Sequence, residues 1–197
     1  MRRAEPVGRT TPRRRRRTAA RSAAQGKQGP ELVPRLFVEL FQTEQSAWKH
    51  SRVEADRLGG SPPGRAVAAV AAHAARGLPE IRRLAEAEGL DTASRGTWIG
   101  AGFSLFRRRV FDQILGREKS YRSTLIGMHH GVDAVRLLRG AARAAGRARI
   151  ESFCEAWLAE RMPLVTECTN QLDWFGANPH LALEPAKQRL GERRRTG

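Results

Sequence analysis

Residues 31–58, ELVPRLFVELFQTEQSAWKHSRVEADRL, are followed at once by GGSPP at 59–63. Within the first stretch Phe37, Leu40, Phe41, Glu44 and Trp48 recur at three- and four-residue spacing, the period that puts side chains on one face of an α-helix. Pro30 and Pro34 mark the entry, and Gly59, Gly60, Ser61, Pro62 and Pro63 end the pattern, so the spacing predicts a long amphipathic helix over 31–58.

The same period recurs downstream. Val67, Val70, Ala71, Ala74, Leu78, Ile81 and Leu84 predict a helix over 63–88, kinked at Pro79 and capped by Gly89. Trp98, Ile99, Gly102, Leu105, Phe106, Val110 and Ile114 predict a shorter one over 95–115. Tyr121, Leu125, Met128, Val132, Val135 and Leu138 predict a helix over 118–145. Ile150, Phe153, Cys154, Trp157, Leu158, Leu164, Val165, Cys168, Leu172 and Phe175 predict one over 147–175, kinked at Pro163 and ended by Gly176, Asn178 and Pro179. No stretch alternates with the period of a strand. The expected fold is all-α, an antiparallel four-helix bundle with one additional shorter helix, because long helices joined by short turns bury their apolar stripes best in that arrangement.

Charge divides the chain further. Residues 1–30 hold nine Arg and one Lys against one Glu, whereas residues 31–183 carry 21 basic against 17 acidic residues. Arg13 to Arg17 form an unbroken block between Pro12 and Thr18. With few apolar residues to offset ordering entropy, residues 1–30 are expected to be a disordered basic tail, 31–180 the helical domain and 181–197 a basic C-terminal tail. Arg9, Arg13, Arg14, Arg15, Arg16, Arg17 and Arg21 are candidate polyanion contacts, nucleic acid before membrane, of the sequence-independent and salt-sensitive kind. No aromatic residue in 1–30 offers a base-stacking platform. A solubilising extension without a specific partner is the plainer reading of the same residues.

No run of eighteen apolar residues marks a transmembrane segment. Residues 1–30 contain no apolar core for a secretory signal, so a cytoplasmic location is expected, with an organelle transit peptide as the alternative. Cys154 and Cys168 are fourteen residues apart on one predicted helix, about 21 Å along its axis, too far for a disulfide within an intact helix. They read as buried thiols. There is no Walker-type loop, no His-Glu-x-x-His and no Cys-x-x-Cys. Arg107, Arg108 and Arg109 spread around a helix and read as a charged bundle end.

Glu44 is the sharpest anomaly, a carboxylate inside an apolar stripe, and it requires an arginine, a histidine or a metal as partner. His73 lies on the second predicted helix, His130 and Asp133 three apart on the fourth beside His129, and Glu160 and Glu167 flank the stripe of the fifth. Each has an ordinary reading as a core-edge histidine or solvated carboxylate. Together, carboxylates and imidazoles converging from four helices resemble the ferritin-like bundle over most of residues 31–175. In that family the di-iron site takes a Glu from two helices and a Glu-x-x-His pair from each of the other two. The resemblance implies iron or manganese and oxidative chemistry, with Glu44, His73, His130, Asp133, Glu160 and Glu167 as ligands. This chain has no Glu-x-x-His, and His130 with Asp133 is reversed in order, so a ferritin-like fold here is expected to carry a degenerate site.

The leading expectation is therefore a non-enzymatic binding or assembly protein without a cofactor, its bundle tethered to a polyanion by the tail. Ala68 to Ala75 and Gly140 to Gly146 leave room for close helix approach and homo-oligomerisation.

Overall fold

The computed structural model describes residues 29–90 and 116–186, and within them every element is an α-helix. Helix α1 spans Gly29–Leu58, α2 Pro62–Glu88, α3 Arg117–Ala144 and α4 Ala148–Asn170, with short helices α5 at Leu172–Ala177 and α6 at Pro179–Leu183. The tail of residues 1–28, the helix expected over 95–115 with Arg107 to Arg109, and residues 187–197 lie outside the described residues.

Local chemistry sets the breaks. After α1 the chain turns through Gly59 at φ +59°, a conformation that disfavours side chains with a Cβ. Ser61 caps α2, its hydroxyl accepting from the Gly64 amide at 3.2 Å, with the prolines in the first turn where no amide donor is needed. A Cβ at Gly64 would collide with the Gly59 carbonyl oxygen, so that glycine lets the α1–α2 turn close. At the other end of α2, Gly89 adopts φ +64° and the Leu90 amide donates to the Ala85 carbonyl at 2.8 Å. Gly146 does the same work between α3 and α4, where the Arg147 amide reaches back to Ala142 at 2.9 Å.

The expected helices are found within a residue or two at most ends, and α2 and α4 continue across Pro79 and Pro163. The last expected helix is not continuous. It divides at Gln171 into α4 and α5. The Tyr121 hydroxyl donates to the Cys168 carbonyl at 2.7 Å, taking the acceptor that the Leu172 amide would use in an unbroken helix, and Thr169 turns its own hydroxyl back onto Val165 at 2.9 Å. The break lets Phe175 pack on Tyr121, ring centroids 5.1 Å apart.

The chain also stays packed beyond position 180. Pro185 bridges to Gly116, the Arg117 amide donates to the Glu184 carbonyl at 2.9 Å, and Ala186 is buried. Part of the stretch expected as C-terminal tail therefore belongs to the folded body.

Helix α1 packs on α2 and on α3, and α4 packs on α3 and on α2. The core between them holds Phe37, Leu40, Val67, Val70, Ile81, Tyr121, Val135, Leu138, Ile150 and Cys154, all buried. Trp48, expected in the α1 stripe, is instead 40% exposed, with Arg52 over its ring. No described helix is long and apolar enough to cross a membrane.

Candidate functional site: a buried charge network centred on Arg161

Extending the α1 stripe by alternate steps of three and four gives Phe37, Leu40, Glu44, Ala47, Ser51, Glu54 and Leu58. Steps of three and four on α4 give Ile150, Cys154, Trp157, Arg161, Val165 and Cys168. Both stripes therefore carry charge into the interior: Glu44, Glu54 and Arg161 are 1%, 2% and 1% exposed.

Arg161 is the hub. Its Nη2 lies 2.8 Å from both oxygens of Glu44, across from α4 to α1. Its Nε and Nη2 also lie 3.1 and 2.9 Å from Nδ1 of His73 on α2. A guanidinium donates and never accepts, so His73 Nδ1 must be the unprotonated acceptor and its proton must sit on Nε2. That Nε2 faces the exposed Glu160 at 3.5 Å, and Glu160 in turn lies 3.8 Å from Arg76. Beneath the guanidinium, the Trp157 indole packs with its ring centroid 4.7 Å from Arg161 Cζ, and His73 meets Trp157 edge-on at 5.9 Å. Gly77 of α2 faces the carboxylate, where an added Cβ would make an ordinary van der Waals contact with Glu44 Oε2 at 3.6 Å.

The electrostatics follow from burial. Loss of hydration pushes the Glu44 carboxyl above its usual value, and Arg161 pulls it part of the way back. Burial likewise lowers Arg161, and Glu44 opposes that shift. His73 is lowered to about 4, first by burial and then by the positive charges of Arg161 and Arg76, so it is neutral at pH 7. The Trp157 Nε1–H makes no hydrogen bond of standard geometry but lies close enough to Glu44 to favour its charged form. An ionised pair with a neutral imidazole thus ties three helices together in the interior.

A second polar cluster joins α1 to the start of α3. The Ser120 hydroxyl donates to Glu54 Oε2 at 2.7 Å, and Arg57 Nη1 reaches the Ser120 oxygen at 3.1 Å and Glu54 Oε2 at 3.4 Å.

Of the residues expected as ligands, the structure brings together Glu44, His73 and, at the rim, Glu160, around an arginine. The others stand apart. His130 is exposed and pairs with Glu39 at 3.3 Å, Asp133 is exposed beside Arg136 at 3.7 Å, and Glu167 accepts from Gln171 at 2.6 Å on the surface. Among the described residues no group of three or more His, Cys, Asp or Glu is arranged to hold a metal ion. Cys154 and Cys168 are free and buried, and burial raises their thiols to about 12 and about 11, which leaves them un-ionised.

The sequence reading missed Arg161 and Glu54. Arg161 was legible in principle, because it occupies the stripe position midway between Trp157 and Val165. Two surface hollows, one lined by Glu118, Arg122, Leu172 and Phe175, the other by Arg136, Arg139, Glu155 and Met162, share no residue with the Arg161 cluster.

Comparison with protein-family models, with curated proteins and with solved structures gives no match for this chain.

Proposed function

We propose that the protein is a non-enzymatic binding or assembly scaffold, an antiparallel four-helix bundle that presents its Arg-rich N-terminal segment to a polyanion. The observation that carries this reading is the placement of charge: nine Arg and one Lys against one Glu in residues 1–30, at the start of α1, while Glu44, His73 and Arg161 in the body satisfy one another. Short turns at 59–61 and 145–147 support antiparallel neighbours, since a parallel pair needs a long crossover. In a bundle resembling the ferritin-like type, Arg161 supplies the positive charge that a metal supplies in the di-iron members. On this reading Glu44 and His73 serve the core rather than a reaction.

The test is binding of the full chain to a fluorescent DNA duplex by anisotropy across a salt series. Substituting Arg13 to Arg17 by Gln should flatten the slope of log affinity against log salt by up to about 4.5, near 0.9 for each phosphate no longer neutralised. An unchanged slope would remove the tail from the interaction.

A further inference from the structure

The outer face formed by α1 and α2 carries exposed cations that rest on aromatic rings. Arg122, Arg136 and Arg143 on α3 and Arg147 just ahead of α4 each have a carboxylate within 4 Å, whereas Lys119 and Arg149 are exposed and form no ion pair among the described residues. On α1 and α2, Lys49, Arg52 and Arg82 are exposed and form no ion pair among the described residues, although Asp56 and Glu86 follow four residues after Arg52 and Arg82. Two of these cations rest on aromatic rings instead. Arg52 lies 5.8 Å from the centroid of Trp48, and Arg82 crosses from α2 to lie 5.5 Å from that of Phe41 on α1. Trp48 is 40% exposed and Phe41 half-buried. Seven residues separate them, two helical turns or about 10 Å along one side of α1.

We propose that this face is a stacking platform for single-stranded nucleic acid, with a base on Trp48, the Phe41–Arg82 pair supporting a second contact, and phosphates held by Lys49 and Arg52. It rests on the polyanion reading above and gives that reading a partner. An exposed indole beside unpaired cations suits a base with its phosphate, because every base has a π-face and the backbone supplies the missing anions. A second copy of this chain suits it less, since a two-fold contact would bring the same unpaired cations together.

The test uses the full chain with fluorescent oligo-dT and a duplex of equal length, with Trp48→Ala, Trp48→Phe and Arg52→Gln compared with wild type at low and at high salt. The expected result is a preference for the single strand that persists at high salt. Trp48→Ala should lose about tenfold in single-strand affinity and nothing for the duplex, and Trp48→Phe should recover part of that loss. An unchanged thermal midpoint by circular dichroism separates this from misfolding. Single-strand affinity within twofold of wild type in Trp48→Ala overturns the platform, while salt-sensitive duplex binding that persists leaves the tail reading standing. Trp48-dependent binding of the single strand without duplex binding does the reverse. Polyglutamate competing as well as oligo-dT, with equal dependence on Trp48, would assign the face to an acidic protein and overturn the proposal.

Discussion

Replacing Arg161 with methionine removes the cation whose Nη2 sits 2.8 Å from both oxygens of Glu44 and leaves a carboxylate that is 1% exposed. Such a group escapes by taking up a proton, which bounds the cost. The ordinary carboxyl value is 4.5, and each unit is worth about 1.4 kcal/mol, so holding the proton at pH 7 costs at most about 3.4 kcal/mol. Loss of the cation from the Trp157 face adds about 0.5–1 kcal/mol. Arg161→Met should therefore destabilise the fold by up to about 4 kcal/mol at pH 7. At pH 5 the proton contribution falls below about 1 kcal/mol, because the unfolded chain is then close to binding the same proton. The double variant Glu44→Met/Arg161→Met removes both charges together and should lie within about 1 kcal/mol of wild type. Urea unfolding followed by far-UV circular dichroism at pH 7 and pH 5 measures all three proteins. A single-variant cost below about 1 kcal/mol at pH 7, a cost that does not change with pH, or a double variant that loses as much as Arg161→Met alone would refute the ion-pair reading.

His73 gives the wild-type protein its own acid sensitivity. Its folded value of about 4 lies below the ordinary 6.5, so between these the unfolded chain binds the extra proton. Stability should be fully present above pH 6.5 and fall by up to about 3 kcal/mol as pH drops to 4, a loss that His73→Gln should largely abolish in the same urea titrations. Gly64→Ala drives a Cβ into the Gly59 carbonyl and should lower stability by about 1–3 kcal/mol, whereas Gly140→Ala, with open space around it, should be neutral or slightly stabilising by thermal melts. Tyr121→Phe, which leaves the Cys168 carbonyl without its 2.7 Å donor, should cost about 1–2 kcal/mol and loosen the packing of Phe175 seen in near-UV circular dichroism. Cys154 and Cys168 should resist iodoacetamide in the native protein and react only in denaturant, as mass spectrometry would count.

How legible these features were depends on whether the deciding interaction lies within one helix or between helices. The stripe Tyr121, Leu125, Met128, Val132, Val135 and Leu138 was readable in full, and all six are buried, because a helix repeats its own faces whatever it packs against. The stops at Gly59 and Gly89 were readable for the same local reason. The break at Gln171 was not, since the Tyr121 hydroxyl that takes the Cys168 carbonyl comes from a residue 47 positions away. Glu44 announced that it needed a partner, but three classes of partner satisfied the same stripe. Trp48 sat at a core spacing and still emerged at the surface beside Arg52.

The sequence by itself determined that this is a helical protein with a cationic leading segment, because periodicity, caps and charge are properties of neighbouring residues. Only the tertiary structure decided that Arg161, rather than His130, Asp133 or Glu167, meets Glu44 and His73. That choice depends on how α4 is rotated and set in register against α1 and α2. A rotation of one residue about the helix axis is about 100°, enough to exchange a buried guanidinium for the solvated carboxylate of Glu160 next to it.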